Sequence, residues 1–168
     1  FDVADVKKAK LLATGLPAGP GAASGKIYLN ADRAAAAEAR GEKVLLVRKE
    51  TSPEDVAGMH SADGILTSTG GKTSHAAVVA VGWGKCCVVG AGELSIDEKA
   101  GKLFVNGRTF GRNDVLSIDG ATGEVMVGSV TRTVPEKPSG EFAKIMDWST
   151  KYASMKVRTN ADSPEDAR

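Results

Sequence analysis

Cysteine, aromatic side chains and net charge are all scarce in this chain of 168 residues. Cysteine occurs twice, as the neighbours Cys86 and Cys87, so no disulfide framework is written into the sequence. With His60 and His75 as the only histidines, the spacing of a zinc site is missing as well. In a strand the neighbouring cysteines would point to opposite faces, and the two thiols read as reduced and at least partly buried. Aromatic residues make up 5% of the chain against 20 glycines, which favours a compact, turn-rich fold with close backbone packing. The 22 basic and 21 acidic residues leave a formal charge of +1, so no basic face for nucleic acid is implied. No apolar run approaches the roughly 20 residues of a membrane span, and no signal or transit pattern is present. The expected setting is soluble and intracellular, in cytoplasm or an organelle. The start at Phe1 and the end at "SPEDAR" both read as cuts through a longer polypeptide.

What is present is an alternation of strand and helix patterns. "VADVKKAKLLATG" (3–15) reads as a connector with a helical look, and "LPAGPGAASG" (16–25) as a Gly/Pro turn region. "KIYLN" (26–30), "KVLLVRK" (43–49), "GILTS" (64–68) and "CCVVG" (86–90) predict strands. Between them lie helices: "ADRAAAAEARG" (31–41), "TSPEDVAGMHSA" (51–62) with Ser52 as N-cap and Pro53 at the first position, and "TSHAAVVAVG" (73–82). The second half turns strand-rich, with hairpin signals at Asn106-Gly107 and at "DGATG" (119–123). "VPEKPSG" (134–140) reads as a linker and "GEFAKIMDWSTKYA" (140–153) as an amphipathic helix with Phe142, Ile145, Met146 and Trp148 or Ser149 near one side. "MKVRTNADSPEDA" (155–167) has the look of a strand and the opening of a new βα unit. The expected fold is a mixed α/β sandwich.

Chemistry concentrates in "TSTGGKTSHAAVVA" (67–80). The run Gly71-Lys72-Thr73 imitates the end of a P-loop, but that motif needs glycine where Leu66 stands, so the P-loop reading fails. The alternative centres on His75. Gly70 and Gly71 permit a sharp turn after the strand, and Thr73 is a natural N-cap, which puts His75 at about the second helical position. Free N–H groups and the positive end of the helix dipole make this place receptive to a phosphate. A neutral imidazole there can attack phosphorus, and Lys72 would help to screen the charge gained. Composition alone leaves an ordinary helix-start histidine, bonded to a backbone carbonyl, equally open. His60 in "GMHSADG" lacks such a setting and reads as structural.

"GGKTSHAAVVA" resembles the phosphohistidine signature of the phosphoenolpyruvate-utilising enzymes. "KVLLVRKETSPEDVAGMHSADGILT" before it and "GWGKCCVVG" after it are similar to the dikinase branch of that family, as are "LPAGPGAASG" and "SIDGATGEV". The resemblance implies a swivelling phosphohistidine domain of β/β/α architecture over residues 16–133, entered by a linker at 1–15. It is followed by a linker and helix at 134–154 and the truncated start of a phosphoenolpyruvate/pyruvate barrel at 155–168. It implies that His75 carries a phosphoryl group in the interconversion of ATP, phosphate and pyruvate with AMP, pyrophosphate and phosphoenolpyruvate. The partners implied are an ATP-grasp nucleotide domain and the barrel of the same polypeptide, which would also hold Mg2+. No cofactor or metal is expected in this segment. The full enzyme is expected to be a homodimer, and the segment a monomer that does not turn over alone. Gly70, Gly71, Thr73 and Ser74 would orient the phosphate, and Thr73 falls on the family's regulatory phosphorylation position. The chain departs from the family pattern at Lys72, usually Met, and at Val81, usually Arg. Arginine is a strong bidentate phosphate ligand. Its loss at 81 either impairs phosphoryl handling or is offset by Lys72, and the sequence leaves both open. Carriers of phosphoenolpyruvate synthase and of the first phosphotransferase-system enzyme share the chemistry. A regulatory module modified on Thr73 is the reading from a different class.

Overall fold

The computed structural model describes residues 1–133 and 140–154. These fall into two units, divided between Thr133 and Val134.

The first unit opens with α1 (Val3–Lys8), β1 (Lys10–Thr14), β2 (Leu16–Gly19) and β3 (Ala22–Tyr28). It continues through α2 (Ala31–Glu38), β4 (Val44–Arg48), a 3-10 turn at Pro53–Asp55, α3 (Val56–Ser61) and β5 (Gly64–Thr67). Then come α4 (His75–Gly82), β6 (Cys86–Val89), β7 (Ser95–Asp97), β8 (Lys102–Val105), β9 (Arg108–Gly111), β10 (Val115–Asp119) and β11 (Glu124–Val127). Eight strands form one mixed sheet in the order β1-β11-β10-β3-β4-β5-β6-β2, with β3 to β6 mutually parallel. A second sheet is made of β7-β8-β9.

Period-two patterning builds the layers. Along β4, Leu45 and Val47 face one core while Val44 and Leu46 face the other. The first core lies against the small sheet and takes in Leu103, Val105 and Phe110. The second lies against α2, α3 and α4 and is filled by Ala34, Ala37, Met59, Ala76, Ala77 and Ala80. The order of layers is therefore small sheet, large sheet, helices, which is the expected β/β/α sandwich. Alanine on the helix faces lets backbone approach sheet closely, consistent with the low aromatic content.

Two expectations fail at the N-terminal end. Residues 1–15 are not a connector alone: β1 pairs antiparallel with β11, Leu12 and Ala13 being buried. The Gly/Pro stretch 16–25 is not a turn region either, since β2 pairs with β6 and β3 with β10 and β4. Pro17 is tolerated because β2 is the edge of the sheet. The expected hairpins are present. Asn106 and Gly107 both take positive φ, 49° and 72°, between β8 and β9. "DGATG" joins β10 to β11.

The cysteines behave as the strand pattern requires. Cys86 lies in the core under the small sheet and Cys87 in the core under the helices, both free thiols. Burial pushes the Cys86 thiol up to about 11 and the Cys87 thiol up to about 12. Thiolate is the reactive form. Ellman's reagent at pH 8 is therefore expected to find no thiol in the native chain and both after denaturation. Rapid modification of the native chain would contradict the burial.

The second unit contains α5 (Gly140–Tyr152). It carries no buried residue, and Phe142, Ile145, Met146 and Trp148 are all exposed. The expected linker at 134–139 and the expected strand at 155–167 lie outside the described residues.

Candidate functional site

The site lies beyond the carboxyl ends of the parallel strands, where α/β sheets commonly place ligands. Two loops meet there. One follows β4 and carries Thr51. The other follows β5 and runs from Ser68 to Ser74. The second loop is tied down along its first part. Ser68 N–H donates to Arg48 O at 3.2 Å, and Thr69 gives both its N–H and its hydroxyl to Lys49 O, at 3.0 and 2.8 Å. From the other side, Gly90 N–H donates to Thr69 O at 3.3 Å and Ala91 N–H to Thr67 O at 3.0 Å. The turn itself is made at Gly70, whose φ of 95° is a conformation that side chains resist. A Cβ there would also stand 3.0 Å from the Cβ of Ser74.

Helix α4 starts one residue later than expected. The N-cap is Ser74, not Thr73: Ser74 N–H donates to Gly71 O at 2.9 Å, and its hydroxyl accepts from Ala77 N–H at 3.4 Å. Both hydroxyl residues suit the cap, and the Gly71 turn decides between them. His75 thus occupies the first helical position rather than the second. The N–H groups of His75 and Ala76 donate to no group among the described residues. Two donors at the positive end of a helix dipole are left free there.

The ring of His75 is half-buried and held from one side. Its Nδ1 lies 3.0 Å from the hydroxyl of Thr51, a residue only 5% exposed. Its Nε2 has no protein partner among the described residues and is not buried away from solvent. One ring nitrogen is anchored and the other is open, which is the arrangement a single-site nucleophile needs. Thr51 was missed in the sequence, where 24 positions separate it from His75. Its one sequence-level signal is a hydroxyl just after a strand that neighbours the strand before the histidine.

The other expected positions distribute as follows. Gly70, Gly71 and Ser74 shape the turn and the cap. Thr73 and Lys72 are exposed, and neither is bonded or ion-paired by its side chain among the described residues. Val81 is 56% exposed on α4, six residues and about 9 Å of helix rise beyond His75. With Val78 and Trp83 it forms an exposed apolar edge of the helix. His60 is exposed, with its ring edge-on to Trp83 at 5.2 Å.

The family described as "PEP-utilising enzyme, mobile domain" matches residues 40–123, which span β4 through the β10–β11 turn and contain this whole site. The chain belongs to that family. The chain is 52% identical over 166 residues to pyruvate, phosphate dikinase of Clostridium symbiosum, covering 99% of this chain and 19% of the relative. It is 50% identical over 167 residues to the chloroplastic pyruvate, phosphate dikinase of Mesembryanthemum crystallinum, covering 99% and 18%. It is 51% identical over 158 residues to the pyruvate, phosphate dikinase of Rhizobium meliloti (strain 1021), covering 94% and 18%. The chain thus spans about a fifth of the length of the curated relatives it matches. Among the described residues no helix of the mobile domain is long and apolar enough to cross a membrane.

Proposed function

We propose that this mobile domain is the phosphoryl carrier of a pyruvate, phosphate dikinase, with His75 as the residue that takes up and returns the phosphoryl group. The observation that carries the reading is the imidazole anchored at Nδ1 by Thr51 and open at Nε2. In the tautomer with the proton on Nδ1, that N–H donates to the Thr51 hydroxyl and Nε2 holds the lone pair. Nε2 attacks phosphorus. The N–P bond forms as the bond to the leaving oxygen breaks, and the leaving oxygen keeps the electron pair. The ring's added positive charge is shared with the Nδ1 proton, which stays on Nδ1 and remains hydrogen-bonded to the Thr51 hydroxyl. Transfer to the acceptor reverses the step.

The free N–H groups of His75 and Ala76 and the hydroxyls of Thr73 and Ser74 are the local donors for the phosphoryl oxygens. Lys72 adds a positive charge beside them. On this reading ATP and phosphate are handled by one partner domain and pyruvate by another, consistent with relatives five times longer than the chain. The segment 134–154 would connect the carrier to a barrel beginning in 155–168. Among the described residues no group of three or more His, Cys, Asp and Glu side chains is placed to hold a metal. On this reading Mg2+ belongs to the partner domains.

The test is the chemical stability of the phosphoryl group on the full-length enzyme after exposure to labelled ATP. A phosphoramidate on His75 is lost in acid and kept in alkali. A label that survives acid would instead mark phosphothreonine at the exposed Thr73, and would favour a regulatory module over a carrier.

A further inference from the structure

The carrier reading leaves unexplained why a largely buried ion pair, Arg48 with Asp55, sits in the turn that carries Thr51. Asp55, 6% exposed, ends the 3-10 turn after β4. Its Oδ2 accepts the N–H of Ser52 at 2.9 Å and lies 3.4 Å from the Ser52 hydroxyl, closing a capping box around that turn. Its Oδ1 meets Nη2 of Arg48 at 3.4 Å. Arg48 in turn gives Nη1 to Leu29 O at 2.9 Å and pairs with Glu98 at 3.3 Å. The guanidinium therefore ties the end of β3, the turn after β4 and the segment after β7 to one point. Its Nε is buried without a partner, so this geometry is kept at the expense of a hydrogen bond. A buried ion pair is a weak stabilising device, because desolvation offsets most of the attraction, but it fixes geometry well. Here the geometry it fixes is the backbone of Ser52, the residue next to Thr51.

We propose that Asp55, held by Arg48, is a positioning residue for His75. It locks the Thr51–Ser52 turn so that the Thr51 hydroxyl stays in reach of Nδ1, accepting from it in the Nδ1-protonated tautomer, and fixes one orientation of the imidazole. The chain of contacts runs Arg48 to Asp55, Asp55 to Ser52, Ser52 through one peptide bond to Thr51, and Thr51 to Nδ1. Asp55 touches neither the ring nor a phosphoryl group.

The proposal rests on the carrier reading of His75, but its test needs no phosphoryl donor. Nitrogen-15 NMR of the labelled 168-residue chain, with both imidazoles neutral, reports the tautomer ratio of each histidine. His60, exposed beside Trp83, serves as the internal reference. Thr51→Val and Asp55→Ala are both expected to move the His75 ratio about fivefold toward that of His60, the effect of one net hydrogen bond. Asp55→Asn keeps an acceptor for Ser52 N–H and loses the charge, and is expected to move it about twofold. Met59→Ala, a cavity variant in α3, is expected to leave the ratio unchanged. An unmoved ratio in a folded Asp55→Ala chain overturns the proposal, and so does an equal shift in Met59→Ala. If Asp55→Ala does not fold, Asp55→Asn decides alone, with a shift supporting the proposal and no shift overturning it. A normal tautomer shift in a chain that never accepts phosphate would count against the carrier reading and leave the positioning role intact.

Discussion

Replacing His75 by Ala in the full-length enzyme is expected to lower the rate of ATP-dependent phosphoenzyme formation by about 10⁴-fold or more, since on the proposed reading the covalent nucleophile is removed. The fold is expected to survive. Helix α4 keeps its Ser74 cap, and Ala76, Ala77 and Ala80 keep their place in the core. The buried hydroxyl of Thr51 loses its partner, which costs about 1–3 kcal/mol. Circular dichroism and a melting curve check the fold, and single-turnover labelling checks the chemistry. Thr51→Val supplies the graded comparison. It leaves Nε2 in place but unpositioned, and labelling is expected to slow by about tenfold, in line with about 1.4 kcal/mol of lost orientation. Wild-type labelling of His75→Ala would remove His75 from the chemistry altogether.

The largest loss of stability is expected from Gly120→Ala, far from the histidine. Gly120 closes β10 and is buried; its N–H donates to Gly21 O at 2.8 Å. A Cβ at Gly120 would stand 1.8 Å from the carbonyl oxygen of Gly19, which belongs to β2. Neither side of that contact is a flexible side chain, so relief requires backbone movement. Gly19 is itself confined, since a Cβ there would meet Lys85 O at 2.2 Å. Overpacking against movable side chains costs about 1–3 kcal/mol, and a backbone clash lies at or above the top of that range. Against a total stability of about 5–15 kcal/mol, this is expected to lower the melting temperature by about 10 °C or leave the chain unfolded. Gly92→Ala is the matched control. Nothing lies within 4 Å of its Cβ position and its φ is not in the left-handed region, so a change within about 0.5 kcal/mol is expected. Equal melting curves for the two variants would show that β2 is not packed as described.

These contacts also explain what was legible in the sequence. The parallel core could be read because β4, β5 and β6 are apolar runs bounded by helix caps, and β3 to β6 then follow one another in the sheet. β1 and β2 could not. "KLLAT" carries three residues of strand character in a lysine-rich setting, and "LPAG" has none of the usual enrichment. Both become strands because β11 and β6 offer them an edge. "DG" at 119–120 was readable as a turn, but the reason for that particular glycine is the passage of β2 across it. At the site, the histidine and its glycine turn were legible because they are local. Thr51 was not, since its relation to His75 exists only once β4 and β5 lie side by side. The N-cap was misplaced by one residue because Thr73 and Ser74 are chemically equivalent candidates.

The two faces of the molecule therefore differ in how freely they can change. Positions 19 and 120 accept essentially one residue type, because backbone oxygens crowd them. Positions 72, 73, 78 and 81 are held by no side-chain bond among the described residues and face solvent around the histidine. A library directed at altered transfer partners has its tolerant sites gathered in one exposed patch, and its intolerant ones are buried backbone contacts at the end of β2 and just after β10. In protein-engineering terms, this surface can be rewritten without reopening the question of the fold. Lys72 and Val81 both fall on this exposed side, where substitution is expected to be well tolerated.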